Sequence, residues 1–277
     1  MIKLCAMNGH YRFYELEDFF KHIKSIGFDT AEIWTGPQHF FMDYQGYESV
    51  KKLQHLEEKY QIKIAVICPE QTNPKPNNMA TKDLELQKHV YKYFTNAIDV
   101  AASIQAKMVL VTSGWAFLNE DIEDAFNRSV HMMKRLCEYA QSKRIYLAME
   151  SLQHDESLIV NSIDGLKRYK EAVNSNQLKV CIDFGAMAGA KETIEDYFKA
   201  FKDDIVHVHF VDGAPTGHLA WGDGERNMSE DIKELQKYGY DGLLSLESVN
   251  GQYYEKPYEA DLKTMQQFNK IMKENEQ

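Results

Sequence analysis

The chain has 277 residues, 44% hydrophobic and 12% aromatic, which supplies a sizeable core and excludes a disordered segment. Its 42 acidic residues outnumber 32 basic ones, for a net charge of −10; that disfavours a nucleic-acid backbone as partner, because phosphate binding needs a basic footprint. The opening MIKLCAMNGHYRFY lacks the unbroken apolar run of a signal peptide, and no segment reaches membrane-span length, so a soluble cytoplasmic protein without membrane contact is expected.

Strand-like and helix-like stretches alternate along the whole chain, the pattern of a parallel sheet with crossover helices. Strands are predicted near Leu4–Met7, Thr30–Trp34, Lys63–Cys68, Met108–Thr112, Tyr146–Glu150, Lys179–Ile182, Ile205–Phe210 and Leu243–Glu247. Helices are predicted over Glu15–Ile26, Glu48–Lys59, Lys82–Ile104, Ile122–Ser142, Ile163–Ala172, Thr193–Phe201, Ser229–Lys237 (Ser229 as N-cap) and Glu259–Lys273. Eight of each favour a closed (β/α)8 TIM barrel over an open doubly wound sheet. No linker or low-complexity tract breaks the chain, so residues 1–277 form a single catalytic domain in this reading. The cysteines Cys5, Cys68, Cys137 and Cys181 form no C-x-x-C pair and are expected reduced, as small hydrophobes. The longest irregular pieces follow the strands, where a barrel keeps its active site: Asn8–Phe13, Gly36–Gly46, Pro69–Met79, Ser113–Leu118, Gly213–Asn227 and Asn250–Tyr258. Their aromatic and hydrogen-bonding content suits a sugar-like ligand, or simply covers the barrel mouth.

Four apolar runs in the second half end in metal-ligand types: Glu150 after IYLAM, Asp183 after LKVCI, His209 after IVHV and Glu247 after LLSL. A charge at the end of a buried strand needs a partner or a cation, since burying it alone costs several kcal/mol. Successive residues of the four are separated by room for one helix and one returning strand, so all four can converge at one end of a barrel. Three oxygen donors and one imidazole suit Mn2+, Mg2+ or Co2+ better than a closed structural zinc site, with Zn2+ kept as the alternative. A cation chelating a carbonyl and its neighbouring hydroxyl acidifies the C–H bond between them. One carboxylate can then remove that proton and the other return it on the opposite face, which inverts the carbon. His207 shares a face with His209 one layer deeper and is expected to be a core histidine. Glu156 lies beyond the strand end, either contacting the ligand or facing solvent. Trp34 and Trp115 either stack on a ligand or pack the core.

The segments SIGFDTAEIW with PQHFF, PEQTNPKPNNM, LAMESLQHDES, VCIDFGAMAGA, HVHFVDG, GHLAWGDGERNMSEDIKEL and KYGYDGLLSLES resemble the xylose-isomerase-like superfamily of sugar isomerases and epimerases. The similarity runs nearly end to end and is greatest to ketose 3-epimerases of the fructoselysine type. It implies that Glu150 and Glu247 are both metal ligands and proton-transfer catalysts, and that Asp183 and His209 complete the metal site. It also implies that Glu156, His10 and His218 contact the substrate. Two departures stand out: Ala186 replaces a histidine found in free-ketohexose epimerases, and Asp212-Gly213-Ala214 replaces an arginine region, both of which suit the fructoselysine-type branch. The expected activity is C3 epimerisation of fructoselysine or a related ketose through a cis-enediolate. The rival with the same site is aldose–ketose isomerisation; further rivals are the barrel-type DNA-repair phosphodiesterase and a non-catalytic sugar-binding barrel. The small-molecule sugar is the expected partner, and the exposed aromatic loops are compatible with a homodimer or tetramer.

Overall fold

A computed structural model describes residues 2–71 and 75–275; residues 72–74 of the predicted Pro69–Met79 loop lie outside the described residues. Eight parallel strands close into one barrel in sequential order. They are β1 (Lys3–Met7), β2 (Thr30–Trp34), β3 (Lys63–Cys68), β4 (Met108–Val111), β5 (Tyr146–Met149), β6 (Leu178–Asp183), β7 (Ile205–His209) and β8 (Leu243–Leu246). The ring is sealed by β1 against β8, with Lys3 opposite Leu243 and Ala6 opposite Leu246. The strands read as nearly continuous apolar runs because both of their faces are covered. Outward residues such as Ile33, Ile67, Val109, Leu147 and Ile182 join the helices in the main core, while Val66, Leu110, Ala148 and Cys181 pack inside the barrel.

The helices among the described residues are α1 (Leu16–Ile26), α2 (Lys51–Tyr60), α3 (Leu84–Ser103), α4 (Ile122–Lys143), α5 (Ile163–Val173), α6 (Phe184–Gly189), α7 (Ile194–Phe201), α8 (Met228–Lys237) and α9 (Pro257–Asn275). Their starts follow local chemistry. Asp83, Asp121 and Ser162 accept hydrogen bonds from first-turn amides, and Thr193 and Asp196 form a reciprocal capping box, each satisfying donors that the helix leaves unpaired. Helix α1 stops at Gly27, whose φ of 107° is a left-handed conformation that glycine adopts without steric cost.

Two expectations are corrected. Helix α8 is capped by Asn227, whose side chain accepts from the Ser229 and Glu230 amides; Ser229 lies inside the first turn. Eight helices were expected and α6 is additional. Its sequence, FGAMAG, is too short and glycine-rich to announce a helix, and it forms because Asp183 accepts the Ala186 amide at 2.6 Å.

Candidate active site

Strand β6 runs one residue further than expected, so Asp183 ends it, while Glu150 and Glu247 stand one residue beyond β5 and β8. His209 closes β7 and pairs in register with Asp183 on β6 and Ser245 on β8. One donor atom from each of Glu150, Asp183, His209 and Glu247 lies within 4.8 Å of all the others. His209 Nδ1 is 2.8 Å from Glu247 Oε2, 3.0 Å from Glu150 Oε2 and 3.7 Å from Asp183 Oδ2. Asp183 divides its oxygens: Oδ1 holds the α6 cap, and the buried Oδ2 has no hydrogen-bond partner among the described residues.

The other edge of His209 explains its orientation. Glu32 on β2, wholly buried, accepts from His207 Nε2 at 2.7 Å through one oxygen and faces His209 Nε2 at 3.3 Å through the other. An ionised carboxylate only accepts, so Nε2 of His209 carries the proton and Nδ1 is left with its lone pair toward the three carboxylates. Such a convergence of lone pairs and negative charge is stable only with a positive charge in its midst: either a proton on Nδ1 or a cation among the donors. A divalent ion fits, since the donors are hard, convergent and backed by an orienting carboxylate.

The same crowding shifts the titrations. Burial pushes Glu150 up, against the pull of His209, and with the neighbouring acids leaves it at about 8. Burial would also raise Glu247, but His209 and His218 bring it below the usual carboxylate range. Burial works against a charged imidazole in both His209 and His218, yet the surrounding carboxylates raise both well above the ordinary value.

Above the cluster opens a cavity of about 140 Å3, lined by Glu150, Glu247, Glu156, Trp34, Arg12 and Lys75 among others. Of the expected substrate contacts, Glu156 and Trp34 reach it. Asn8 holds the Trp34 backbone, accepting its amide at 2.7 Å and donating to its carbonyl at 2.9 Å. Burial raises the Glu156 carboxyl above its usual range. His218 sits 3.3 Å from both Asp183 Oδ2 and Glu247 Oε2, beside the ligand atoms themselves. His10 is placed elsewhere: it is wholly buried, not part of the cavity lining, and its Nε2 meets Asp261 of α9 at 3.0 Å. Trp115 also falls outside the lining; its indole N–H bonds the Lys75 carbonyl, and its backbone is held on both sides by Asn78. His207 is the buried histidine its register suggested. The sequence reading missed Glu32 and Arg12. An acid inside the apolar TAEIW was the available signal for Glu32; nothing local marked Arg12.

The fold recurs among known proteins. A family model described as a xylose isomerase-like TIM barrel matches residues 20–268. Fructoselysine 3-epimerase of Shigella flexneri is 27% identical over 270 residues, covering 97% of each chain. D-psicose 3-epimerase of Enterocloster bolteae is 20% identical over 243 residues, 85% of this chain and 77% of that protein. The solved D-psicose 3-epimerase of Clostridium cellulolyticum H10 with D-tagatose superposes with a TM-score of 0.78 at 13% identity, covering 98% of both chains. With the closed eight-stranded barrel and a family match over most of its length, the chain belongs to the xylose isomerase-like TIM barrel family.

Proposed function

We propose that the chain is a divalent-metal-dependent ketose 3-epimerase in which Glu150 and Glu247 exchange the C3 proton. The broader statement, an isomerase-type enzyme acting on a sugar, is supported by its fructoselysine and psicose 3-epimerase relatives. One observation carries the finer reading. Glu150 and Glu247 come from separate walls of the barrel, approach the same His209 nitrogen within 3.0 Å, and also line the open cavity. Each can therefore help hold an ion while facing a bound sugar.

Glu150, Asp183, His209 and Glu247 would hold the cation, with Mn2+, Mg2+ or Co2+ suited to the oxygen-rich set and Zn2+ the competing ion. When bound, it supplies Lewis acidity, polarising a ketose carbonyl and acidifying the adjacent C–H bond. One carboxylate removes the proton from C3, leaving a cis-enediolate, and the other delivers a proton to the opposite face, inverting the carbon. In the reverse direction their roles exchange. Glu156 and His218 accept or donate hydrogen bonds to sugar hydroxyls, and Trp34 offers an apolar ring to the face of the sugar. Glu32 keeps His209 turned toward the centre.

Incubating candidate ketoses in deuterated water with Mn2+ tests the reading. Deuterium should enter at C3, and Glu150→Gln and Glu247→Gln should each reduce exchange by about 10²–10⁴-fold. Label at C1 would make the protein an aldose–ketose isomerase instead, and no exchange with any sugar would remove enzymatic epimerisation altogether.

A further inference from the structure

The cavity has an end that proton exchange does not use. Six charged residues line it: Arg12, Lys75, Glu70, Glu150, Glu156 and Glu247. Glu150 and Glu247 belong to the reacting centre. Lys75 is already committed, its ammonium 2.7 Å from Glu70. Arg12 differs. It is half-buried, and no salt bridge to it occurs among the described residues. Its Nε donates to the Gly9 carbonyl at 3.1 Å. Its guanidinium lies 4.5 Å from the ring centre of Tyr254 and 5.3 Å from that of Trp34.

Tyr254 and Trp34 offer aromatic rings to the guanidinium, a favourable cation–π arrangement, and the Gly9 carbonyl takes the Nε–H. The two terminal nitrogens make no hydrogen bond among the described residues, although they belong to a group lining the cavity. An immobilised guanidinium with a free edge is matched in shape and charge by a carboxylate or phosphate, which it grips through two parallel bonds. Arg12 follows β1, the neighbour of β8 that leads to Glu247, while Glu150 follows β5, so the anion would sit on the Glu247 side of the cavity.

We propose that Arg12 determines substrate specificity by receiving an anionic substituent carried by the ketose on the β1 side of the cavity. This rests on the epimerase reading above. A carboxylate and a phosphate share the pair of oxygens that such a fork grips, and the substrates compared below distinguish them.

The test compares three substrates on the Mn2+-loaded enzyme: a neutral ketose, the same ketose bearing an amino-acid carboxylate, and its terminal phosphate. Steady-state constants for Arg12→Met and Arg12→Lys are measured for each. Arg12→Met should lower kcat/KM about ten- to hundredfold for the carboxylate-bearing sugar, mainly through KM, and for the neutral ketose by no more than the several-fold that a disturbed Trp34 would cause. The neutral ketose also reports that the variant is folded. Arg12→Lys, which keeps the charge without the fork, should recover part of the loss. A selective loss confined to the phosphate would keep the anion site and reassign its source. Equal losses for charged and neutral sugars would overturn the proposal while leaving the epimerase reading intact; absence of C3 exchange with every sugar would overturn both.

Discussion

Replacing Glu32 by glutamine keeps the shape of the side chain and removes the charge on which both β7 histidines depend. In the native protein one oxygen takes the His207 N–H at 2.7 Å and the other faces His209 Nε2 at 3.3 Å. A glutamine has only one acceptor oxygen, so its NH2 must confront one of the two imidazole N–H groups. His209 responds by turning or by moving its proton to Nδ1, and the lone pair aimed at the carboxylates is lost. Loss of such an orienting partner weakens metal binding about 10–100-fold, equivalent to about 1.4–2.7 kcal/mol. Because a ligand bound only to the folded state adds its binding free energy to stability, the stabilisation by saturating Mn2+ should shrink by the same amount. At about 2–4 °C per kcal/mol for a chain near this size, the Mn2+-induced rise in Tm should fall by about 3–11 °C. Thermal unfolding with and without Mn2+, beside a direct calorimetric titration, measures both quantities. Wild-type affinity and an undiminished rise in Tm for Glu32→Gln would refute the role given to Glu32.

Two further perturbations address the mouth and the scaffold. A Cβ added at Gly36 would lie 2.2 Å from the Trp34 ring, so Gly36→Ala must displace the indole from the cavity wall. KM for the ketose should rise several-fold with altered near-UV circular dichroism, and unchanged values would deny Trp34 a part in binding. At the opposite end of the barrel, burial would raise Asp204, but Lys179 at 2.5 Å and Lys170 at 3.2 Å hold it below the usual range. A depressed carboxyl contributes stability that is present above its unfolded pKa, about 3.9, and is lost as pH falls through the lower folded value. The stability gap between wild type and Asp204→Asn should therefore be constant near neutrality and close in acid; a gap unchanged across that range would contradict the assignment.

How far the sequence disclosed the site depended on where each residue's partners lie. Glu150, Asp183, His209 and Glu247 were legible because each interrupts an apolar run at a strand end, a local anomaly with a cost that packing cannot meet. Glu32 was hidden because its partners, His207 and His209, lie on a strand that is distant in sequence. His10 was misplaced for a similar reason. The turn at Gly9–Tyr11 directs both His10 and Tyr11 into Asp261 on α9, a contact made only when the last helix docks beside the first. Helix α6 was missed because it depends on one carboxylate oxygen rather than on a periodic pattern. The strands themselves were predicted to within a residue or so at each end, since a sheet buried on both faces writes its apolar runs plainly.

The proposed metal centre and the proposed anion site are held by different means. The candidate ligands are anchored on the barrel wall, where strand register sets Asp183 beside His209 and Glu32 braces the imidazole from across the interior. Arg12 instead belongs to a loop whose position is set by contacts among the chain termini. His10 and Tyr11 just before it bond Asp261, burial and that acid raise the Tyr11 phenol far above its usual range, and Gly9 presses so close to Val249 that a Cβ there would come within 2.6 Å of it. Tyr14 reaches the Glu255 carbonyl beyond it. A loop clasped in this way holds its guanidinium without drawing on the candidate metal ligands. Changes in the loop can then alter which sugars are admitted while the paired carboxylates keep their geometry, the division of labour that lets one barrel wall serve several substrates.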